Sequence, residues 1–137
     1  MRKALMALAM AWAIAACGVF TESPPGSETS TGNYTLQSVN NAPLPFTTSQ
    51  TGGMKIELID DVIQLFQGGT FARTYHTRTT LNGQVTNATV ARTGTWAIGM
   101  GATIMLTANE DASRMIVNIN ARRMTSIAEG NTYLYMK

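Results

Sequence analysis

The chain has 137 residues, 13% charged and 45% hydrophobic side chains, one cysteine, one histidine and a formal net charge of +2. The lone cysteine excludes an internal disulfide, and the length supports one folded domain with a self-sufficient core. A charge this small is no signal of a nucleic-acid partner.

At the amino end Arg2 and Lys3 precede an unbroken apolar run, Ala4 to Ala16, that finishes in small side chains. This is the layout of an export signal. As a helix the run would reach about 20 Å, against a hydrocarbon core of about 30 Å, so a permanent membrane span is not expected. Ile14-Ala15-Ala16-Cys17 resembles the lipobox of bacterial lipoproteins. The resemblance implies cleavage before Cys17, lipidation of its thiol with acyl chains such as palmitate, and acylation of the new amino terminus. An ordinary Ala-x-Ala secretory signal is the alternative, but it would leave Cys17 as a thiol without a partner in the chain. Several acyl chains, each contributing about 0.8 kcal/mol per buried methylene, give stable membrane attachment. Gly18 stands where an aspartate often retains such proteins at the inner membrane, so the outer membrane is expected in a cell that has one. Removing residues 1–16 leaves 121 residues with eight basic and eight acidic side chains. The net charge therefore belongs to the leader, and nucleic acid is not an expected partner.

Thr21 to Asn33 is rich in Ser, Thr, Pro and Gly and has no large apolar side chain. Such a segment cannot bury enough surface to offset ordering entropy, so residues 17–32 read as lipidated cysteine plus flexible tether and 33–137 as the folded domain. From there short runs rich in Thr, Ile, Val and Tyr are punctuated by Gly, Asn and Asp. Strands are predicted near Tyr34–Asn40, Met54–Ile59, Val62–Phe66, Thr70–Leu81, Gln84–Ile98, Ala102–Ala108, Arg114–Asn120, Met124–Glu129 and Thr132–Met136. Among the expected turns are Asp60-Asp61, Asn82-Gly83 and Asn109–Ser113. Pro43-Leu44-Pro45 belongs in a connection or at a sheet edge, because proline denies a donor to the ladder. The expectation is all-β: an antiparallel meander closed into an eight- or nine-stranded barrel, since closure removes exposed edges.

Gly32-Asn33-Tyr34-Thr35-Leu36, Gly68-Gly69-Thr70-Phe71, Gly94-Thr95-Trp96, Ile104-Met105-Leu106-Thr107 and the closing Tyr133-Leu134-Tyr135 resemble the small bacterial lipocalin-like domains that follow a lipobox. The likeness spans most of residues 32–137 and implies a lipocalin-like barrel. Gly32-Asn33-Tyr34 stands in place of the first-strand Gly-x-Trp of true lipocalins.

Asn82-Gly83 predicts a two-residue type I′ turn, because both residues tolerate positive φ. It sets facing pairs whose numbers sum to 165, including Tyr75 with Val90 and Arg73 with Arg92. Phe71, Tyr75, Ala88 and Val90 mark the inward face; Thr74, His76, Arg78 and Thr80 mark the outward one. Two arginines opposed on an apolar face require solvent or a counter-anion. One reading places Arg73 and Arg92 at a barrel mouth, directed to a carboxylate or phosphate, with Tyr75 as a flat wall and hydroxyl donor. The other has the strands splay or bulge near Arg73, with both side chains reaching water and Glu57 or Asp61 pairing them.

With Cys17 committed to lipid, His76 alone cannot build a zinc site, and neither metal nor cofactor is expected. Asp60-Asp61 and Glu110-Asp111 fit turns better than catalytic carboxylates. The six methionines left after signal removal suit core filling better than soft-metal capture. No enzyme is expected. The primary expectation is a lipid-anchored envelope module whose barrel contacts an envelope protein. The alternative is a lipocalin-like binder of a small amphipathic or anionic ligand through Arg73, Tyr75 and Arg92.

Overall fold

The computed structural model describes residues 27–137; the signal run, Cys17 and the first part of the tether lie outside the described residues. One helical turn, α1 (Ser27–Ser30), is followed by β1 (Gly32–Val39), β2 (Ala42–Pro43), β3 (Phe46–Thr51), β4 (Met54–Leu65), β5 (Thr70–Leu81), β6 (Gln84–Ile98), β7 (Thr103–Ala108), β8 (Arg114–Asn120), β9 (Arg123–Ala128) and β10 (Asn131–Met136). From β4 to β10 each strand is antiparallel to the next, and β1 pairs with both β10 and β4. Eight strands, β1 and β4–β10, thus close into a barrel, with β2 and β3 as extra edge strands. This is the lipocalin-like meander expected from the sequence.

The turn at Asn82-Gly83 has φ of 49° and 83°. The ladder it starts runs unbroken from Leu81–Gln84 to Thr70–Thr95, and Arg73 faces Arg92 within it. No splay or bulge occurs at Arg73. The irregularity lies on the other side of β5, in β4, and it corrects the sequence reading there. Asp60-Asp61 is not a turn: β4 continues through it, and the register steps between Leu58 and Asp60, leaving Ile59 as a bulge. A bulge absorbs one residue without ending a strand. It lies where the second edge of β4 changes partner, from β3 at Leu58 to β1 at Val62. Strict alternation from Leu58 would turn Asp60 and Val62 inward. The extra residue turns Asp61, Ile63 and Leu65 inward instead, and all three are buried.

The sequence reading also assigned no strand to Phe46–Thr51, which forms β3. Pro43 pairs with Ser38 at the sheet margin, as its missing donor demands.

The apolar core lies in the lower half of the barrel, towards α1. Tyr34, Leu36, Ile63, Leu65, Phe71, Trp96, Leu106, Val117, Met124 and Tyr135 fill it. The buried polar tips are satisfied: Tyr34 Oη donates to the Ser30 carbonyl at 2.9 Å, and Trp96 Nε1 donates to the Phe66 carbonyl at 3.0 Å. Gly94 permits the closest approach in this core. A Cβ there would lie 2.0 Å from the Thr107 carbonyl oxygen and 2.6 Å from a ring carbon of Phe71.

Candidate functional site

The upper half is a cup. Its floor is built on Asp61, which the bulge delivers to the interior with no solvent exposure. Asp61 faces Tyr75 in the ladder, but its carboxylate is held by Arg73 one diagonal step away. Arg73 Nε donates to both carboxylate oxygens at 3.0 and 3.1 Å, and Nη2 donates to Oδ2 at 2.6 Å. Tyr135 Oη, from β10, donates to the same Oδ2 at 2.8 Å. Burial works against the charge on Arg73, but Asp61 more than offsets it, so the guanidinium is pushed further up. Burial, then Asp61, also push the Tyr135 hydroxyl up, keeping it a donor.

Above this floor Arg73 lies 5.0 Å from the centre of the Tyr75 ring. Such a cation–π contact contributes about 0.5–2 kcal/mol. Arg92 Nη1 donates to Asp111 Oδ2 at 2.7 Å, and Asp111 and Tyr75 together raise the Arg92 pKa. Arg73, Tyr75 and Arg92 therefore converge. The counter-anions for the two arginines come from the protein itself: Asp61 holds one and Asp111 the other. Glu57 pairs instead with Arg78 and Lys55 on the outward side of β4, where His76 also meets Asp60.

Arg73, Tyr75, Thr77, Met115, Ser126 and Tyr133 are among the walls of a cavity of about 340 Å³. An adjoining groove of about 490 Å³ shares Arg73, Tyr75, Met115 and Ala128 with it and adds Arg92, Asp111, Arg114, Ile116 and Ile127. The shared walls lie at the end of the β8–β9 ladder. The β8–β9 ladder ends at Val117–Ser126, so the next facing positions, Ile116 with Ile127 and Met115 with Ala128, are not paired. Ile116 and Ile127 flank the gap and are 64% and 76% exposed. A further hollow of about 290 Å³ at the opposite end, by α1, has no charged side chain in its walls.

Sequence reasoning did not single out Tyr135, Ser126 or the gap. It read Asp61 as a turn residue and as a possible partner for the arginines. A signal for Asp61 was present, since Asp61, Ile63 and Leu65 alternate in phase. Tyr133 and Tyr135 likewise share one face of the last strand. Ser126 carried no such signal, because its place in the cup depends on where the β8–β9 ladder ends.

Among the described residues no group of three His, Cys, Asp or Glu side chains is gathered as a metal would require. His76 is committed to Asp60 on the outer wall, away from the cup. The arrangement is that of an antiparallel barrel, lipocalin-like in topology, with an apolar core towards α1 and a polar-floored cup. No family model, curated protein or solved structure matches the chain.

Proposed function

We propose that this barrel binds a small amphipathic ligand in the cup above Asp61, Arg73 and Tyr135, and does so at the bacterial cell envelope, anchored by lipid on Cys17. The cavity of about 340 Å³ supports the binding reading. A barrel filled from end to end would leave no room, and pockets for small ligands usually span about 300–1,000 Å³. Arg73, Tyr75 and Arg92 supply the polar side of the site, and Leu58, Met115, Ala128 and Tyr133 supply apolar surface. The anchor rests on Ile14-Ala15-Ala16-Cys17 and places the cup at a membrane surface, with Gly18 favouring the outer membrane.

Two measurements test the reading. Mass spectrometry of an organic extract of the purified protein should yield a co-purified amphiphile, and Thr77→Trp with Ala128→Trp, which fills the cup, should abolish it. Loss of membrane association on Cys17→Ser would support the anchor. Extracts indistinguishable between parent and filled variant would count against the cup.

The interaction-module reading is favoured by one observation. From Gln84 to Ala91 one edge of β6 has no partner strand among the described residues, because pairing with β7 begins at Gly94. That stretch carries no charge and no proline, the usual protections of an open edge. Cross-linking in native envelopes from positions 85 and 87 would trap a protein partner if this edge is used.

A further inference from the structure

Ser126 Oγ is the only buried side-chain polar atom among the described residues that lacks a hydrogen-bond partner. Ser126 is 2% exposed, lines the cup and sits on the last rung of the β8–β9 ladder, at the base of the gap in the wall. A buried hydroxyl without a partner is costly, and one facing a cavity is positioned for a group that enters it. The charges around that cavity cancel. Arg73 is matched by Asp61 and Arg92 by Asp111, while Arg114 and Glu129 add one of each sign at the rim. An anionic head would have to displace one of these carboxylates or remain unpaired in a half-buried site.

From this, and resting on the binding reading above, we infer that the occupant is an uncharged single-chain amphiphile. Its head, a hydroxyl or ester, hydrogen-bonds to Ser126 Oγ, and its chain leaves the barrel between β8 and β9 over Ile116 and Ile127. A serine hydroxyl both donates and accepts, which suits such a head, whereas the Arg73 guanidinium is already engaged by Asp61 and, through Nη1, by Met115 Sδ at 3.6 Å. The two isoleucines otherwise leave a large apolar surface in water beside an opening.

The test is calorimetric titration of the protein at neutral pH with monododecanoylglycerol, dodecanoic acid and dodecyltrimethylammonium, each below its micelle concentration. The glycerol ester should bind at least about tenfold more tightly than either ion. Ser126→Ala should weaken the ester about fivefold or more while leaving the thermal midpoint unchanged or raised, because the hydroxyl it removes has no partner in the protein. Ile116→Asp with Ile127→Asp, two substitutions at exposed positions, should weaken monotetradecanoylglycerol and spare monooctanoylglycerol. Tightest binding of the carboxylate would overturn the uncharged head and keep the cup. Equal loss for both chain lengths would overturn the path through the wall. No binding of any of these amphiphiles would remove the binding reading itself.

Discussion

Arg73 and Arg92 stand directly opposite each other across the β5–β6 ladder, yet each guanidinium bonds a different carboxylate, Asp61 beneath it and Asp111 in the loop after β7. Facing like charges are tolerated here because each is neutralised from outside the pair. The inner pair is the more consequential, since Asp61 has no solvent exposure and its Arg73 partner is 24% exposed.

Asp61→Asn should therefore destabilise the fold by about 3–5 kcal/mol, the usual effect of removing one partner of a buried ion pair. Urea denaturation with an unchanged m-value would measure it. Adding Arg73→Met to the same chain should recover part of the loss, because the unpaired charge is then gone. A double variant less stable than Asp61→Asn would show that Arg73 stabilises the barrel by other means.

Gly94→Ala introduces a methyl where the Thr107 carbonyl oxygen would lie 2.0 Å away. Backbone has to move, with an expected cost of about 1–3 kcal/mol or more. The midpoint of thermal unfolding reports it, and an unchanged midpoint would mean that β6 and β7 separate freely at this rung.

Acid should weaken the barrel partly through Glu57. Hydrogen bonds from Arg78 and then Lys55 hold its carboxyl at about 2, well below the ordinary 4.5. A folded-state value below the unfolded one contributes stability that is complete above the unfolded value and lost as pH falls towards the folded one. The denaturation midpoint should thus drop between about pH 4.5 and pH 2, and Glu57→Gln should flatten that slope. Glu110 and Asp111, also shifted down, act in the same direction and will leave a residual slope.

The bulge makes a geometric prediction. Deleting Ile59 keeps Leu58 opposite Thr77 and Asp60 opposite His76, so Asp61 remains inward and the fold should persist. Deleting Gln64, within a regular stretch, shifts one side of the ladder by a residue and should cost far more. Amide hydrogen exchange across β4 and β5 distinguishes the two. Equal loss of protection in both variants would assign the bulge a structural duty of its own.

The all-β class, the closed meander and every facing pair of the β5–β6 hairpin could be read from the chain, because Asn82-Gly83 dictates a turn geometry and alternation does the rest. Asp60-Asp61 was harder. Two adjacent aspartates are a common turn signal, and nothing local shows that a bulge will carry the strand through them. β3 was hidden for a related reason: Phe46–Thr51 is mostly Thr, Ser and Gln, and it becomes a strand only because β4 extends past the barrel to pair with it. The convergence of Arg73, Tyr75 and Arg92 followed from register. Asp61 could be named as one partner, because β4 lies beside β5, whereas Asp111 could not, because it reaches Arg92 from the loop after β7.

The Asp61 cluster joins β4, β5 and β10, and Tyr135 lies 74 positions after Asp61 in the chain. β10 also supplies the neighbour that β1 needs for closure. During synthesis, then, the first barrel strand and the interior aspartate both wait for the final one. Until residues 131–136 are free to pair, Arg73 and Asp61 can meet only in a wet, open sheet with two raw edges. The barrel seals and dries its charge pair in one late step, when its two most distant strands in sequence meet.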